Sequence, residues 1–250
     1  MPTWLKFMVA EAVGTFFLVF PGAGAPMLGA ATHSTIPLLD VALANGLGLG
    51  IGITATMAVS GGALNPAVTI GLWSLGKLKA RIAILYIIAE LVGAIVAAAL
   101  LAWLVPGAVA SGTPAPGSGI TGLQAAGIET ILTFLLMTAV LTTAVDPRAA
   151  KIGGFGVGLV VVFDVLVAGP LTGAAMNPAR AFGPELISGV WSAAWAYWVG
   201  PIAGALVAAL IYRYFLQTDA VTASSAEGAA ASAAVRGSTP SQHRRKSGKK

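Results

Sequence analysis

Two copies of the tripeptide Asn-Pro-Ala are the part of this sequence whose residue types and spacing suggest specific chemistry. They comprise Asn65, Pro66 and Ala67, and then Asn177, Pro178 and Ala179. Asn is a good N-cap and Pro is preset for the first helical position, so one copy would only predict the start of a helix. Two copies in register, each opening a short helix, indicate instead a paired site where side-chain amides act on a small polar molecule.

The tripeptides belong to an internal duplication. Residues 60–67 match residues 172–179 without a gap, Glu11 matches Glu129, and Tyr86 matches Tyr197. We assign the first repeat to about residues 5–104 and the second to about 122–216. Each copy contains three long apolar runs, an odd number, so the second must cross a membrane in the opposite direction. The sequence therefore predicts an inverted repeat.

The composition requires a membrane around these repeats. Of the 250 residues, 57% are hydrophobic and 9% are charged, against about 25% charged in soluble domains. We predict an all-α membrane protein with six transmembrane helices and two re-entrant half-helices. The spans are residues 7–28, 38–59, 82–104, 123–144, 152–168 and 193–216, the half-helices are 66–75 and 178–187, and the charge-free connector 105–121 is expected to be a loop.

Inversion directs the two half-helices inward from opposite sides, so that their Asn-Pro-Ala starts meet near the midplane. Non-helical backbone at that depth must face protein or a water-filled cavity, so the preceding stretches are candidate pore linings. Two helix N-termini and two amides favour an oxygen acceptor, repel cations and interrupt a chain of water. The candidate lining residues are Gly61, Gly62, Ala63, Leu64, Gly173, Ala174, Ala175 and Met176.

Basic residues predict the orientation. Thirteen of the 14 Lys and Arg residues lie in connections on one side, which the positive-inside rule makes cytoplasmic together with both termini. We expect a multi-pass protein of the cell membrane, in contact with lipid and not with nucleic acid. Residues 217–250 are predicted to be a disordered basic cytoplasmic tail outside the channel domain of residues 1–216.

Charged residues inside the spans need a purpose or a partner. Arg180, which follows the second tripeptide, is the one basic residue away from the cytoplasmic side. Glu11 and Glu129 either relay protons or accept hydrogen bonds from the half-loops, and the second role is favoured. Glu90 has no counterpart in the other repeat and is a candidate support for the same loops. Asp164 faces either the pore or a neighbouring helix.

With these motifs, the sequence resembles the aquaporin, or major intrinsic protein, family over about residues 5–216. The resemblance implies a homotetramer with one pore in each protomer and Asn65 and Asn177 at its central constriction. It also implies an outer selectivity filter at four positions, occupied here by Asn45, Val165, Ala174 and Arg180.

The filter departs from the patterns of water-selective members and glycerol facilitators because none of its four residues is aromatic. Tyr197-Trp198 before Val199-Gly200-Pro201 nevertheless follows the water-channel pattern. We expect a filter wide enough for small hydroxylated solutes, with the Asn45 amide offered to the solute beside the Arg180 donors.

The leading functional hypothesis is a passive channel for water and small neutral solutes such as glycerol, urea or metalloid hydroxides, excluding protons and ions. The alternative is an alternating-access secondary transporter, since inverted repeats occur there too. An enzyme is not expected, because the chain has no Cys and no His or Lys within the spans to serve an intramembrane hydrolase. No cofactor or metal is predicted.

Overall fold

The structure is a computed structural model that describes residues 1–148 and 152–217. Six helices within this part are long and apolar enough to cross a membrane. They are α1 (Thr3–Ala31), α2 (Leu38–Thr56), α4 (Ala80–Leu104), α5 (Gly122–Ala139, continued by a π-helix over Val140–Val145), α6 (Gly154–Thr172) and α8 (Ala196–Ile211, continued by a π-helix over Tyr212–Leu216). The six predicted spans are confirmed, with ends shifted by a few residues.

Two short helices complete the bundle: α3 (Pro66–Ser74) and α7 (Pro178–Ser188). Each is too short to span a bilayer, as predicted for half-helices. Each begins at an Asn N-cap followed by Pro, which supplies the fixed φ that suits the first helical position.

The half-helices join the two repeats crosswise. Helix α3 packs more extensively against α8 than against α4, whereas α7 packs more extensively against α4 than against α8. The repeats also meet through α2 and α6, whose backbones come very close. A Cβ atom on Gly158 would lie 2.4 Å from the carbonyl oxygen of Gly46, so only glycine permits this approach.

The connector predicted as a plain loop contains a 3₁₀-helix, Val109–Gly112, that packs against α1 and α7. Polar connectors normally lie on the surface, but this one is largely apolar and free of charge. Gly112, Thr113 and Pro114 are buried. The connector therefore forms part of the wall around the second half-loop.

The chain divides into two compact units, Met1–Arg213 and Tyr214–Lys250. The first contains α1 to α8. In the second, the structure describes only residues 214–217, so the predicted tail lies almost entirely outside the described residues.

Candidate functional site

The two Asn-Pro-Ala tripeptides meet and exchange hydrogen bonds. Asn65 Nδ2 donates to the carbonyl oxygen of Met176 (2.9 Å), and Asn177 Nδ2 donates to that of Leu64 (2.8 Å). Each Asn Oδ1 also accepts from its own helix start, at Ala67 N or Ala179 N, both at 2.9 Å. Each asparagine therefore caps its own half-helix and binds the half-loop of the other repeat.

This arrangement uses part of the donor capacity that the sequence analysis assigned to a passing oxygen. An amide group carries two N–H donors, and one from each Asn is committed to the opposite backbone. One N–H of Asn65 and one of Asn177 remain for a molecule at the meeting point. The carbonyls of Leu64 and Met176, predicted as pore lining, are occupied by the same contacts.

The half-loops adopt a backbone conformation that non-glycine residues rarely adopt. Leu64 and Met176, at equivalent positions of the two repeats, both have φ of 53°. Within the described residues, no donor bonds to six other carbonyls of these stretches, those of Gly61, Gly62, Ala63, Gly173, Ala174 and Ala175. These carbonyls are free to accept from a permeating molecule.

Two buried glutamates hold the half-loops in this conformation. Glu11 on α1 accepts from Ala63 N (3.2 Å) and Leu64 N (2.7 Å). Glu129 on α5 accepts from Ala175 N (3.0 Å), Met176 N (2.6 Å) and Thr172 Oγ1 (2.7 Å). Of the two roles left open for these carboxylates, the structure displays the acceptor role.

One tyrosine anchors the start of each half-loop, a role that the sequence did not reveal. Tyr86 OH donates to the carbonyl oxygen of Ser60 (2.6 Å), and Tyr197 OH donates to that of Thr172 (2.8 Å). Tyr86 and Tyr197, like Ser60 and Thr172, are matched positions of the duplication. The match of Tyr86 with Tyr197 in the duplication was the signal that could have found these contacts.

Arg180 is buried beside the second half-loop with its guanidinium fixed by three acceptors. Nη1 donates to the carbonyl of Gly112 (3.1 Å), Nη2 to that of Gly22 (3.1 Å), and Nε to Asn45 Oδ1 (3.4 Å). A guanidinium has five N–H donors, so two remain. The roles of Gly22 and Gly112 were missed, because backbone carbonyls leave no mark in a sequence.

Asn45 supports Arg180 and does not offer its amide as expected. Its Nδ2 donates to the carbonyls of Val41 (2.8 Å) and Gly22 (3.4 Å). Both amide hydrogens are thereby directed to backbone, while Oδ1 faces the guanidinium. The expected amide donor to a solute is thus absent from this conformation, and the Arg180 N–H groups are the donors that remain.

One cavity adjoins each half-loop. The first, about 300 Å³, adjoins the first half-loop and includes Gly61, Gly62 and Ala63 in its wall together with Lys77 and Tyr86. The second, about 160 Å³, adjoins the second half-loop. Three of the four candidate filter residues, Asn45, Val165 and Arg180, line the second cavity, whereas the fourth, Ala174, is buried and its neighbour Gly173 lines the cavity instead.

The remaining buried acids form no ion pair with Arg180 within the described residues. Asp164 on α6 is 1% exposed, and neither carboxyl oxygen has a hydrogen-bond partner within the described part of the chain. Glu185 on α7 is in the same situation. Glu90 on α4 accepts from Thr69 Oγ1 (2.7 Å) and thereby contacts the first half-helix.

Known proteins are similar to this chain in sequence and in architecture. Residues 1–212 match the family model of the major intrinsic proteins. The chain is 45% identical to Aquaporin TIP4-4 of Zea mays, with 83% of this chain and 85% of that protein covered. It is 41% identical to a probable aquaporin TIP3-2 of Arabidopsis thaliana, with 86% and 85% covered.

A solved structure agrees with these sequence matches. The aquaglyceroporin from Plasmodium falciparum superposes with a TM-score of 0.76 at 26% identity, covering 85% of this chain and 97% of that one. The resemblance drawn from the tripeptides and the inverted repeat is confirmed. With six apolar spans, two inward half-helices and a family match across nearly all the described residues, the chain is a multi-pass membrane protein that belongs to the major intrinsic protein family.

Proposed function

We propose that this chain forms a passive pore for water and small uncharged solutes along the line from the first cavity, past Asn65 and Asn177, to the second cavity. The observation that carries the proposal is the reciprocal contact of the two asparagines at the N-termini of opposed half-helices. Both helix dipoles direct positive potential to that point, and each Asn retains one N–H donor. An oxygen acceptor is stabilised there and a cation is repelled.

We propose that Arg180 and the wall around it select solutes. Its two remaining N–H donors lie in a cavity whose other lining residues include Val165 and Gly173, which are small. A solute hydroxyl or carbonyl can replace lost hydration by bonding to these donors. The name of the Plasmodium relative, an aquaglyceroporin, adds support for glycerol as one such solute.

Passive conduction is favoured over alternating access by the fixed contacts between the repeats. The half-helices are tied to each other through the Asn side chains and to α1 and α5 through Glu11 and Glu129. A rocking transporter would have to break these buried bonds in every cycle. A pore needs no such rearrangement.

The test is stopped-flow swelling of reconstituted vesicles with water, glycerol, urea and boric acid, together with a pH-sensitive dye inside. We expect rapid water flow, measurable flux of at least one of the three solutes, and no proton flux above that of empty vesicles. Asn45→Trp should reduce solute flux while sparing water. A proton flux comparable to the water flux would overturn the proposed mechanism, and exclusion of all three solutes would overturn the proposed filter.

We further propose a homotetramer, which family membership supports, with both termini in the cytoplasm. The basic residues support this orientation in any membrane that borders the cytoplasm. The cell membrane remains our predicted location, and fluorescence imaging of a tagged chain in its native cell tests it.

A further inference from the structure

The first half-loop is served by a second buried carboxyl group that has no counterpart at the other half-loop. Glu90 and Glu11 are both 0% exposed. The repeat that relates Tyr86 to Tyr197 places Pro201 of α8 at the position equivalent to Glu90. Glu90 therefore breaks the internal symmetry at a point where burial makes an extra negative charge costly.

The second half-loop has a cation close to its glutamate, and the first half-loop does not. Glu129 has the guanidinium of Arg180 within electrostatic range. The position equivalent to Arg180 in the first repeat is Val68, so Glu11 lacks that cation. Across the described residues, neither Glu11 nor Glu90 forms an ion pair with Lys, Arg or His. Two ionised carboxylates would thus be buried together without a cation to balance them.

The two carboxyl groups are close neighbours. Helices α1 and α4 touch at this level, since a Cβ atom on Gly93 would lie 2.2 Å from the carbonyl oxygen of Ala12. Glu11 accepts from the backbone of Ala63 and Leu64, and Glu90 accepts from Thr69 on the half-helix that follows, so both carboxyl groups serve the same short stretch of chain. Two like charges buried beside one stretch of chain in a poorly solvated site disfavour each other, which favours a proton on one of them.

The hydrogen bonds indicate which group holds it. Glu11 accepts from two backbone N–H groups, which stabilise an anion. Glu90 accepts from Thr69 through Oε1, and its Oε2 has no donor among the described residues. A proton on that oxygen turns an unpartnered acceptor into a donor for Glu11.

We propose that Glu90 is a protonated carboxylic acid that donates its proton in a hydrogen bond to the Glu11 carboxylate, and that it acts as a positioning residue for the first half-loop. The pair then holds one proton and one negative charge. It ties α4 to α1 through Glu11 and to α3 through Thr69. The positioning role rests on the channel function proposed above, whereas the protonation state does not.

Other titratable groups near Glu90 are few. Helix α1 presents Glu11, α4 itself presents Tyr86, and α7 carries Arg180 and Glu185, whereas α3 contains no titratable residue. Because Glu90→Gln leaves all of these in place, it is the matched variant for tests of the proton on Glu90. Its amide can donate to Glu11 and accept from Thr69.

Infrared difference spectroscopy of the whole protein at neutral pH tests the proton directly. We expect the spectrum of the unmodified protein minus that of Glu90→Gln to contain the carbonyl-stretch band of a protonated carboxylic acid. Asp40→Asn, which removes an exposed acid, is the control and should lose carboxylate bands instead. Loss of carboxylate bands in Glu90→Gln, with no acid band, would overturn the proposal even if the protein conducted no water.

Permeability tests the positioning role. We expect near wild-type water flow in Glu90→Gln and a reduction of about tenfold in Glu90→Leu, which leaves Thr69 and Glu11 without their partner. In strongly alkaline buffer, water flow through the unmodified protein should fall while that through Glu90→Gln does not. Unchanged flow in Glu90→Leu, or an equal alkaline response in both proteins, would overturn the role. If Glu90→Leu does not fold, the alkaline comparison still tests the positioning role and the infrared spectra still test the proton on Glu90.

Discussion

At the scale of single residues, this site depends on side chains whose donors are mostly used to hold each other in place. Asn65, Asn177 and Arg180 each spend part of their hydrogen-bonding capacity on backbone carbonyls and keep a remainder for a permeating molecule. This division explains why polar groups can be buried at membrane depth without an unmet need for water. Selectivity then follows from which donors remain.

Gly22→Ala should disturb the filter around Arg180 without changing the contacts of Asn65 and Asn177. The added Cβ would lie 2.3 Å from Asn45 Oδ1, so Asn45 must move and Arg180 loses its alignment. We expect altered solute-to-water selectivity and a lower unfolding temperature, measured by stopped-flow swelling and thermal unfolding in detergent. Gly127→Ala on α5, where nothing lies within 4 Å of the new Cβ, is the control. Equal behaviour of the two variants would contradict the packing argument.

Asp146, just after the end of α5, predicts a pH response outside the membrane. Hydrogen bonds from Arg148 hold the pKa of its carboxyl well below the usual range. A depressed folded-state pKa gives stability that is complete above the unfolded value of about 4 and is lost as pH falls through the folded value. We therefore expect the difference in unfolding temperature between the unmodified protein and Asp146→Asn to stay constant from pH 8 to about pH 5 and to shrink only in stronger acid. A difference that shrinks near neutral pH would contradict this assignment.

At the scale of elements, each half-loop is held by the same set of contacts from different helices. The first uses Glu11 and Tyr86, and the second uses Glu129 and Tyr197. The positive φ of Leu64 and Met176 costs free energy, and such conformations persist only when surrounding contacts hold them in place. The Glu and Tyr contacts hold each half-loop in this conformation.

Tyr86→Phe and Tyr197→Phe should each lower the free energy of unfolding by about 1 kcal/mol, the usual net contribution of a hydrogen bond, and more if the carbonyl is left unsatisfied. Since the two hydroxyls serve different half-loops, the effects should add in the double variant. Chemical unfolding in detergent measures both. Tyr212→Phe removes a longer hydrogen bond of 3.4 Å to Asp146 and should have a smaller effect. A strongly non-additive double variant would show that the half-loops are coupled through the Asn pair.

At the scale of the whole molecule, inversion converts two equal repeats into one pore with different ends. The first cavity includes Lys77 in its wall and the second includes Arg180, and the connector with the 3₁₀-helix closes only the second. In the proposed pore, the two dipoles at the symmetric centre exclude cations, whereas the asymmetric ends set which solutes enter. In the orientation proposed above, the first cavity lies on the cytoplasmic side.

Single-cysteine labelling tests that orientation, because the chain has no native Cys. Ser118→Cys in the connector and Lys79→Cys before α4 both place the thiol at exposed positions. With a membrane-impermeant maleimide on intact cells, we expect labelling of Ser118→Cys alone, and labelling of Lys79→Cys only after permeabilisation. The reverse pattern would invert the proposed orientation.

Much of this protein was determined by the sequence alone. Long apolar runs, the paired tripeptides and the alternating basic connections predict the six spans, the half-helices and the inverted repeat, because the bilayer fixes span lengths and forces every backbone polar group to be satisfied internally. Glu11 and Glu129 were recognisable for the same reason, as equivalent acids at membrane depth.

The tertiary structure decided which donors remain available. Arg180 is held by the carbonyls of Gly22 and Gly112, which are distant from it in sequence. The Asn45 amide donates to backbone carbonyls instead of facing the solute. The connector likewise lines the cavity through residues far from Arg180 along the chain. Backbone carbonyls are the same in every residue, so residue types do not encode these partners. Only the packing of α1, α7 and the connector brings the carbonyls of Gly22 and Gly112 to the Arg180 guanidinium.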